Sequence, residues 1–564
     1  MLAHSAIRAV AVALPQNGWP LVLGYPATGR NDLVAFMLVQ RCLRLALKGR
    51  VFPKGIRNAA RAQAALGGTI STSADHEARG GRARRRGPEA SARRALAVTV
   101  GKAARRTARG LRRGDGTAIP AVAALAIDSG LLAGLAAEIP HGSVTVTGTN
   151  GKSTTCRMLA AMMRASGLHP VPSHESSRQP AGPAGLVTAL LAGAAASGHL
   201  SADDRVIGLF EVEEGSLPQI LPQVKPATAV FTNAFRDQRD DHLEPDDLTR
   251  RWEQCLRGLA DDTTLVLNAD DPRVACLASE CGNPRIWYGL EDTAHRRSGT
   301  DPTSDYPRCP RCTGGLRYRC VFYAHLGHWE CGDCGLARPA PQVHAAKIDL
   351  IGAASARLQV VTPGSEAVLE VPLPGLYNVY NTVAAAAAAA ACQLSSGALT
   401  AVGNVTSGFC GWQPVSLGSR EVHFALVKNA IGCTEVLRAL LGDGQPRHML
   451  LALSDPPGDQ QPEVSWIWDV DFESLPGLVP SAVLSGSRAD DLAVRLKYAR
   501  WPGAAAGEEG SRTTVEPDPV RAFQLALAAA PAGEPVWVVS THPALRRLRK
   551  WLIRRGCVSA AWGR

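Results

Sequence analysis

The sequence contains no run of 18 or more uninterrupted apolar residues, the length that a membrane-spanning helix requires. Its first 25 residues also lack the basic start, compact apolar stretch and cleavage site, in that order, of a secretory signal. We therefore expect a cytosolic protein. Hydrophobic residues make up 46% and charged residues 20% of the chain, so wholesale disorder is excluded.

No repeat of solenoid period is present, and most of the 14 cysteines have no tight spacing. The cysteines that are not closely spaced in the sequence are interpreted as reduced thiols and not as a disulfide framework. A length of 564 residues predicts three or four domains at about 150 residues each.

Positive charge is concentrated at one end of the chain. Residues 1–115 hold 22 Lys and Arg against 5 Asp and Glu, whereas the remainder holds 39 against 45. Residues 1–94 are predicted to be a basic, disordered extension or the product of a mis-assigned start. Such an arm could touch nucleic acid or anionic lipid, or be a solvated tail without a role. The rest of the chain is net acidic, which argues against specific nucleic-acid binding.

Short β-rich runs alternate with helical stretches between residues 143 and 272. The run at 143–148 leads into a glycine-containing turn, and the runs at 205–212, 227–233 and 263–272 end at acidic residues, at Asn233, and at Asn268 with an Asp pair. This alternation predicts an α/β fold with a doubly wound, mainly parallel sheet, whose ligands bind at the carboxyl ends of the strands.

A glycine-containing turn follows the first of these runs. GTNGKS at 148–153 lies between a predicted strand and a predicted helix, where a nucleotide phosphate loop belongs. Lys152 is predicted to contact the β and γ phosphates of ATP, and the Ser153 hydroxyl to bind Mg²⁺. Glu211, Glu213 and Glu214 follow the second run, and one of them is expected to hold the same ion or else to be a surface acid.

Four cysteines form a metal-binding pattern. A CxxC pair is followed after 18 residues by a second pair, which is the spacing of a four-thiolate zinc site: Cys309, Cys312, Cys331 and Cys334. Four thiolates complete a tetrahedron, so the zinc is expected to be structural. His325 and His328 are then spare. The ribbon is interpreted as a scaffold, with nucleic-acid binding as the alternative.

The motifs GTNGKSTT, FEVEE, TNAFRDQRD, NADDP and GLYNVYNTVAAA occur here in the order seen in the central domain of the Mur ligases. The zinc ribbon, LVKNAIGCTEVL, SWIWDVDFE and SGSRADDLAVRLKYA resemble, more narrowly, the MurT family of that group. The resemblance covers about residues 95–564.

The resemblance implies a domain order. It consists of a family N-terminal segment at 95–140, a central ATP-binding domain at 141–400 with the ribbon inserted at 305–338, and a MurT-type domain at 411–564.

The resemblance implies an ATP- and Mg²⁺-dependent, glutamine-hydrolysing ligase of peptidoglycan synthesis. Such enzymes amidate the α-carboxylate of D-glutamate in the lipid II stem peptide through an acyl phosphate. A GatD-type glutamine amidotransferase supplies the ammonia as the other half of a heterodimer, at the inner face of the cell membrane. A folylpolyglutamate-type ligase and a nucleic-acid-binding NTPase are the alternatives.

The resemblance also implies roles for individual residues. The ATP site would comprise Gly148, Thr149, Asn150, Gly151, Lys152, Ser153, Thr154, Asn268, Asp271, Asn378 and Asn381. Glu211 matches the magnesium-binding glutamate, and Gln238 stands where many Mur ligases place a metal-binding histidine.

One aspartate of the C-terminal domain is expected to complete the partner's Cys–His triad. Asp469 is the first choice, with Asp471 and Asp459 as alternatives. The chain departs from the family pattern at 426–435, 459–463 and 541–544, which puts partner docking and acceptor recognition in doubt more than ATP binding.

Overall fold

The structure is a computed structural model that describes most of the chain from residue 88 onward and two short strands before it. The described residues are 10–12, 21–23, 88–110, 118–172, 182–200, 203–236, 244–297, 301, 303–304, 308–405, 413–455, 465–473, 478–501, 512–559 and 562. They form two compact units, one of residues 1–139 with 182–203 and one of residues 140–181 with 204–564.

Helices and strands are numbered here in chain order. The α-helices are α1 (Pro88–Gly110), α2 (Ala118–Leu125), α3 (Leu131–Ala136), α4 (Lys152–Ala165), α5 (Pro183–Gly193), α6 (Leu217–Val224), α7 (Pro245–Leu256), α8 (Pro272–Cys276), α9 (Leu376–Ala391), α10 (Ala430–Leu441), α11 (Ala489–Tyr498), α12 (Pro519–Ala529) and α13 (His542–Arg554).

The first strands are β1 (Val10–Val12), β2 (Leu21–Leu23), β3 (Ser143–Thr147), β4 (His169–Val171), β5 (Val206–Glu211), β6 (Thr228–Phe231), β7 (Thr264–Asn268), β8 (Arg285–Leu290), β9 (Leu316–Tyr323) and β10 (Leu326–Cys331). The later strands are β11 (Val343–Ile351), β12 (Ser355–Thr362), β13 (Ser365–Val371), β14 (Gln413–Leu417), β15 (Arg420–Leu426), β16 (His448–Ala452), β17 (Ser481–Ser485), β18 (Arg512–Val515) and β19 (Val536–Ser540).

The described residues of the first unit include the helices α1, α2, α3 and α5 and the antiparallel pair β1–β2. Apolar side chains of α1 and α2 pack together, among them Val100, Ala104 and Ala123. Arg94 pairs with Glu138, which also accepts a hydrogen bond from the backbone N–H of Leu200. The predicted boundary at residue 95 lies inside α1, because the helix already begins at Pro88.

A nine-stranded sheet forms the centre of the second unit, in the order β13-β12-β11-β8-β7-β6-β3-β5-β4. The strands from β4 to β8 are parallel, and β12 and β13 extend the sheet in antiparallel fashion. β3 and β6 are buried along their whole length, as expected of strands covered on both faces. The doubly wound parallel sheet predicted from the sequence is confirmed.

The alanine-rich helix α9 lies against this sheet. Its residues from Val379 to Ala389 are almost fully buried in the same core as α4 and β11–β13. Alanine side chains let a helix approach its neighbours closely, so this run is a packing surface and not a membrane segment.

A six-stranded sheet, in the order β14-β15-β19-β16-β17-β18, forms the C-terminal part of the same unit. Only β14 is antiparallel to its neighbour. The two faces of this six-stranded sheet bury separate apolar clusters. One cluster includes α10 and α11, and the other includes α12 and α13. Among the described helices, none combines the length and apolar content needed to cross a bilayer.

Candidate active site

The phosphate loop joins the buried end of β3 to the first turn of α4. Gly148 has φ +131° and Gly151 has φ +87°, a backbone region that favours glycine. A Cβ atom on Gly148 would lie 2.1 Å from Thr232 Oγ1, and one on Gly151 would lie 2.0 Å from Asn381 Oδ1. The loop therefore forms a tight backbone cradle that a side chain would fill, at a helix N-terminus suited to phosphate.

The segment after β6 holds this cradle in place. Thr149 N donates to Asn233 O at 3.0 Å, and Asn150 N donates to Asn233 Oδ1 at 2.8 Å. The Thr149 hydroxyl donates to Phe235 O and accepts from Phe235 N, both at 3.1 Å. Thr232 Oγ1 and Asn233 Nδ2 both donate to Asn150 O. The TNAF sequence at 232–235 thus fixes the conformation of the phosphate loop through hydrogen bonds.

Lys152 is buried and lies over the loop. Its Nζ donates to Gly148 O at 2.5 Å and Thr149 O at 3.3 Å, and forms an ion pair with Glu214 Oε2 at 2.9 Å. The ion pair with Glu214 compensates the burial of the lysine and holds its side chain at the mouth of the cradle. Glu214 is thus the member of the acidic cluster that faces Lys152.

Ser153 and Glu211 form a pair suited to Mg²⁺. The Ser153 hydroxyl donates to Glu211 Oε1 at 2.7 Å, so one ion could contact both oxygens. Burial raises the pKa of Glu211, while the hydrogen bond from Ser153 and the charge of Lys152 act in the opposite direction. Glu213 is exposed and points to neither group.

The C-terminal domain reaches the loop through two residues that sequence reasoning did not assign. Lys428 Nζ donates to Thr149 O at 2.7 Å. The amides of Asn429 and Asn150 exchange hydrogen bonds at 3.1 and 3.3 Å. The sequence signal for them was LVKN at 426–429, where a lysine and an asparagine follow the apolar end of β15.

Asn268 and Asp271 lie one strand further along the sheet. Asn268 Nδ2 donates to Thr232 O at 2.9 Å, and its Oδ1 accepts from Asp270 N. Asp271 caps α8 by accepting from Arg273 N and Val274 N. Both side chains brace loops beside the cradle, and their predicted contact with nucleotide stays a prediction.

Asn378 and Asn381 occupy the first turns of α9. Asn381 Nδ2 donates to Asn378 Oδ1 at 3.1 Å, and Asn378 Nδ2 donates to Pro374 O at 2.8 Å. Asn381 Oδ1 is the atom that a side chain on Gly151 would strike, so this asparagine lies directly on the loop. Thr154 follows on α4 and is half-buried.

The four cysteines predicted to bind zinc come together at the open end of the β9–β10 hairpin. Their Sγ atoms all lie within 4.8 Å of one another, with 3.5 Å for Cys309–Cys334 and for Cys312–Cys331. A tetrahedral zinc with bonds of about 2.3 Å places its sulfurs about 3.8 Å apart, so the donor set fits this ion. The N–H groups of Cys334 and Asp333 lower the pKa of Cys331 to about 7, which favours the thiolate.

The opposite end of the hairpin is packed into the protein. Phe322, Tyr323 and Leu326 belong to the core of the central sheet. His328 Nε2 lies 2.9 Å from Leu290 O, and Trp329 Nε1 donates to Ala269 O at 3.1 Å. These contacts agree with a scaffold role for the ribbon.

Asp469 is exposed at the end of the 3₁₀ helix Ser465–Asp469. Among the residues that the structure describes, it has no hydrogen bond or ion pair. Asp471, two residues later, is buried and bound to Arg438 at 2.5 Å, so it is occupied within the chain. Asp459 and Gln238 lie outside the described residues.

An exposed aromatic pair adjoins Asp469. Trp468 is 50% and Tyr498 is 70% exposed, and their ring centroids are 5.9 Å apart. The Arg495 guanidinium lies 5.6 Å from the Trp468 centroid and binds Glu473 through two hydrogen bonds of 2.7 Å. Exposed aromatic residues beside an unpaired carboxylate are typical of a protein-binding surface.

Two family models match the chain. The model of the Mur ligase middle domain matches residues 146–305, and the model of the MurT ligase C-terminal domain matches residues 426–545. The MurT subunit of lipid II isoglutaminyl synthase (glutamine-hydrolyzing) from Staphylococcus aureus strain COL is 28% identical over 410 residues, which are 72% of this chain and 87% of that protein.

The MurT subunit from Streptococcus pneumoniae is 28% identical over 393 residues, 69% of this chain and 84% of that protein. Among solved structures, a pseudomurein peptide ligase type C from Methanothermus fervidus aligns with a TM-score of 0.54 at 20% identity, over 73% of this chain and 78% of that one. MurF from Acinetobacter baumannii aligns with a TM-score of 0.53 at 14% identity, over 77% and 80%. The Mur ligase fold and the resemblance to MurT are confirmed.

Proposed function

We propose that this chain, with its Mur ligase middle domain and MurT ligase C-terminal domain, is the ATP-dependent subunit of a lipid II isoglutaminyl synthase. Its reaction is the amidation of the α-carboxylate of D-glutamate in the lipid II stem peptide. The observation that carries the proposal is the glycine cradle, with Lys152 and the Ser153–Glu211 pair, contacted by Lys428 of the MurT-type domain.

A carboxylate is a poor electrophile, and this site has the groups that can activate it. ATP transfers its γ-phosphoryl group to the carboxylate oxygen, which releases ADP and gives an acyl phosphate. Ammonia then attacks the carbonyl carbon, a proton leaves the nitrogen, and phosphate departs. Mg²⁺ at Ser153 and Glu211 would supply charge neutralisation during the transfer.

Lys152 and Lys428 provide fixed positive charge at the same place. Lys152 is held by Glu214, and Lys428 by Thr149 O, so both ammonium groups are oriented before the nucleotide arrives. Groups that are already oriented toward developing negative charge stabilise a transition state without further reorganisation. This arrangement supports phosphoryl transfer as the step carried out by this chain.

The ammonia comes from a glutaminase partner with a Cys nucleophile and a His. Asp469 is proposed to orient that histidine and stabilise its charged form. Its exposure and the adjoining aromatic pair Trp468–Tyr498 support this assignment over Asp471, which is engaged by Arg438. The acceptor is lipid-linked, so the complex acts at the inner face of the cell membrane.

Two variants of the reconstituted complex test the proposal. The purified chain is mixed with lipid II, ATP, Mg²⁺, glutamine and a GatD-type glutaminase, and mass spectrometry follows the exchange of OH for NH₂ on the acceptor. Lys152→Ala should abolish amidation from both glutamine and free ammonia. Asp469→Asn should abolish amidation from glutamine but preserve it with ammonium chloride.

Exposed Asp490 provides the matched control, since Asp490→Asn should leave both reactions unchanged. ATP turnover without an amidated acceptor would reject the synthase and favour a ligase that adds an amino acid. Stimulation of ATP turnover by RNA or DNA would favour the NTPase alternative.

A further inference from the structure

His325 lies at the inner tip of the β9–β10 hairpin, where the four-cysteine pattern leaves it without a role. Its side chain is fully buried, and its Nε2 lies 3.2 Å from Oδ2 of Asp271, which is equally buried. The hairpin's other histidine, His328, contacts the backbone carbonyl of Leu290 and the ring of Phe322, and neither contact involves a carboxylate. Burying a histidine–carboxylate pair away from solvent costs free energy, and the other contacts of the carboxylate compensate part of that cost.

Asp271 connects the hairpin to residues 232–235, the segment that is hydrogen-bonded to the phosphate loop. The oxygen that faces His325 also accepts a hydrogen bond from Ala234 N at 2.8 Å, and the other oxygen caps α8. Arg273 Nη1 approaches Ala234 O at 3.5 Å and its Nε binds Asp246 at 2.8 Å. Ala234 is therefore held at both its N–H and its carbonyl.

A second contact runs in parallel through aromatic rings. The His325 ring meets the Phe235 ring edge-on, with centroids 5.1 Å apart, and Tyr323 packs against the same ring at 6.0 Å. The backbone of Phe235 holds the Thr149 hydroxyl from both sides. Phe235 therefore contacts both the histidine and Thr149 of the phosphate loop, and Asp271 contacts the neighbouring Ala234.

We infer that His325 is a positioning residue for ATP: through Asp271 and Phe235 it sets the place of the 234–235 backbone and hence of Thr149 in the phosphate loop. The zinc ribbon is then a brace of the nucleotide site, with zinc closing one end of the hairpin and His325 anchoring the other. The inference rests on the proposed ATP site and is independent of the acceptor.

The charge state of the pair agrees with this geometry. Burial alone would raise the pKa of Asp271, but the charge of His325 at 3.2 Å, together with the hydrogen bond from Ala234 N, holds it below its ordinary value. An ionised Asp271 accepts the Ala234 hydrogen bond more strongly than a neutral one. Removal of the imidazole leaves a buried carboxylate with weaker neutralisation, and the 234–235 segment is expected to shift.

Two substitutions at the same position separate positioning from packing. His325→Gln keeps a donor near the place of Nε2, whereas His325→Leu keeps bulk and removes the donor. The readouts on the full chain in complex with its glutaminase are the Kd of a fluorescent ATP analogue, the zinc content, and kcat and KM for ATP. A displacement of about 1 Å in an active site costs up to roughly a hundredfold, so His325→Leu should raise the Kd and KM at least about tenfold.

The expected pattern has three further parts. His325→Gln should restore ATP affinity to within about threefold of the wild type, well under the roughly tenfold change that 1.4 kcal/mol produces. His328→Leu, the matched control on the same hairpin, should leave the Kd unchanged. All three variants should retain zinc.

Several results would overturn the inference. These are ATP binding by zinc-loaded His325→Leu at wild-type affinity, equal losses in the Gln and Leu variants, or loss of zinc together with affinity. If the wild-type chain itself fails to bind ATP, the proposed function is rejected instead, which keeps the two failures distinct.

Discussion

Replacement of Arg438 by methionine should destabilise the second unit by about 3 kcal/mol, because it leaves buried carboxylates without their shared cation. Arg438 Nη1 donates to Asp301 Oδ2 at 3.0 Å and to Glu435 Oε1 at 2.6 Å, and Nη2 donates to Asp471 Oδ2 at 2.5 Å. Asp301 is fully buried and Asp471 is 3% exposed. Methionine fills most of the same volume, so the charge is the principal change.

The magnitude follows from what remains after the substitution. Removal of one partner from a buried ion pair costs about 3–5 kcal/mol. Arg297 stays within 3.5 Å of Asp301 and 3.6 Å of Asp471, and Arg438 itself is 16% exposed, so the lower end of that range applies. With a slope of about 3 kcal/mol per molar urea, the unfolding midpoint should fall by about 1 M.

The loss should grow as the pH rises. In the wild type, burial acts to raise the pKa of Asp301, but the charge and hydrogen bond of Arg438, together with the hydrogen bonds from Thr303, hold that pKa below its ordinary value. The stabilising contribution of Arg438 is therefore present above the unfolded pKa and disappears only as the pH falls through the folded pKa. In the variant, burial raises the carboxylate pKa values, so the folded state binds more protons and stability falls as the pH rises above about 4.

Urea titrations at pH 5.5 and pH 8 measure both effects, with tryptophan fluorescence as the signal. Arg357→Met is the matched control, since Arg357 pairs with Glu370 while both side chains are more than half exposed. Exposed pairs contribute about 0–1 kcal/mol, so this control should shift the midpoint little at either pH. A loss below 1 kcal/mol for Arg438→Met at pH 8 would refute the view that Arg438 neutralises this cluster.

Three further results are expected at the candidate sites. Gly151→Ala should abolish ATP binding in a dialysis assay because the added methyl group has no room, whereas Gly167→Ala, also at positive φ but with nothing within 4 Å, should only lower thermal stability slightly. Glu211→Gln should raise the Mg²⁺ concentration for half-maximal turnover and flatten the acidic limb of its pH profile, since burial raises the pKa of Glu211; Glu213→Gln should change neither. Cys331→Ser should lower the zinc content measured by atomic absorption and the melting temperature, and equal zinc binding would reject the four-thiolate site.

The parallel sheet and the phosphate loop could be predicted from the sequence because their signals are local. Alternating β-rich and helical runs indicate the sheet, and the spacing within 148–153 indicates the loop. The cysteine spacing likewise needed no tertiary information, since each CxxC knuckle brings two thiolates to one ion by itself.

The contacts of Lys428, Asn429 and His325 could not be predicted in the same way. Each depends on elements far apart in the chain, since Lys428 lies 279 positions after Thr149. The contacts of Asp271 were also not predicted. The motif NADDP indicates a nucleotide-pocket residue, whereas the structure shows that Asp271 caps α8 and forms an ion pair with His325 of the hairpin.

Helix α10 connects the two functional regions of the second unit. Asn429 caps its N-terminus by accepting from Gly432 N and exchanges hydrogen bonds with Asn150 of the phosphate loop. Arg438, in its last turns, binds Asp471, two residues beyond the exposed Asp469. Arg438 lies nine positions after Asn429, which corresponds to about 14 Å at a rise of about 1.5 Å per residue, so one rigid helix sets the distance between the loop and the proposed partner surface. A change in domain position that moves one of these sites must move the other, and ATP binding and partner docking are therefore expected to be energetically linked.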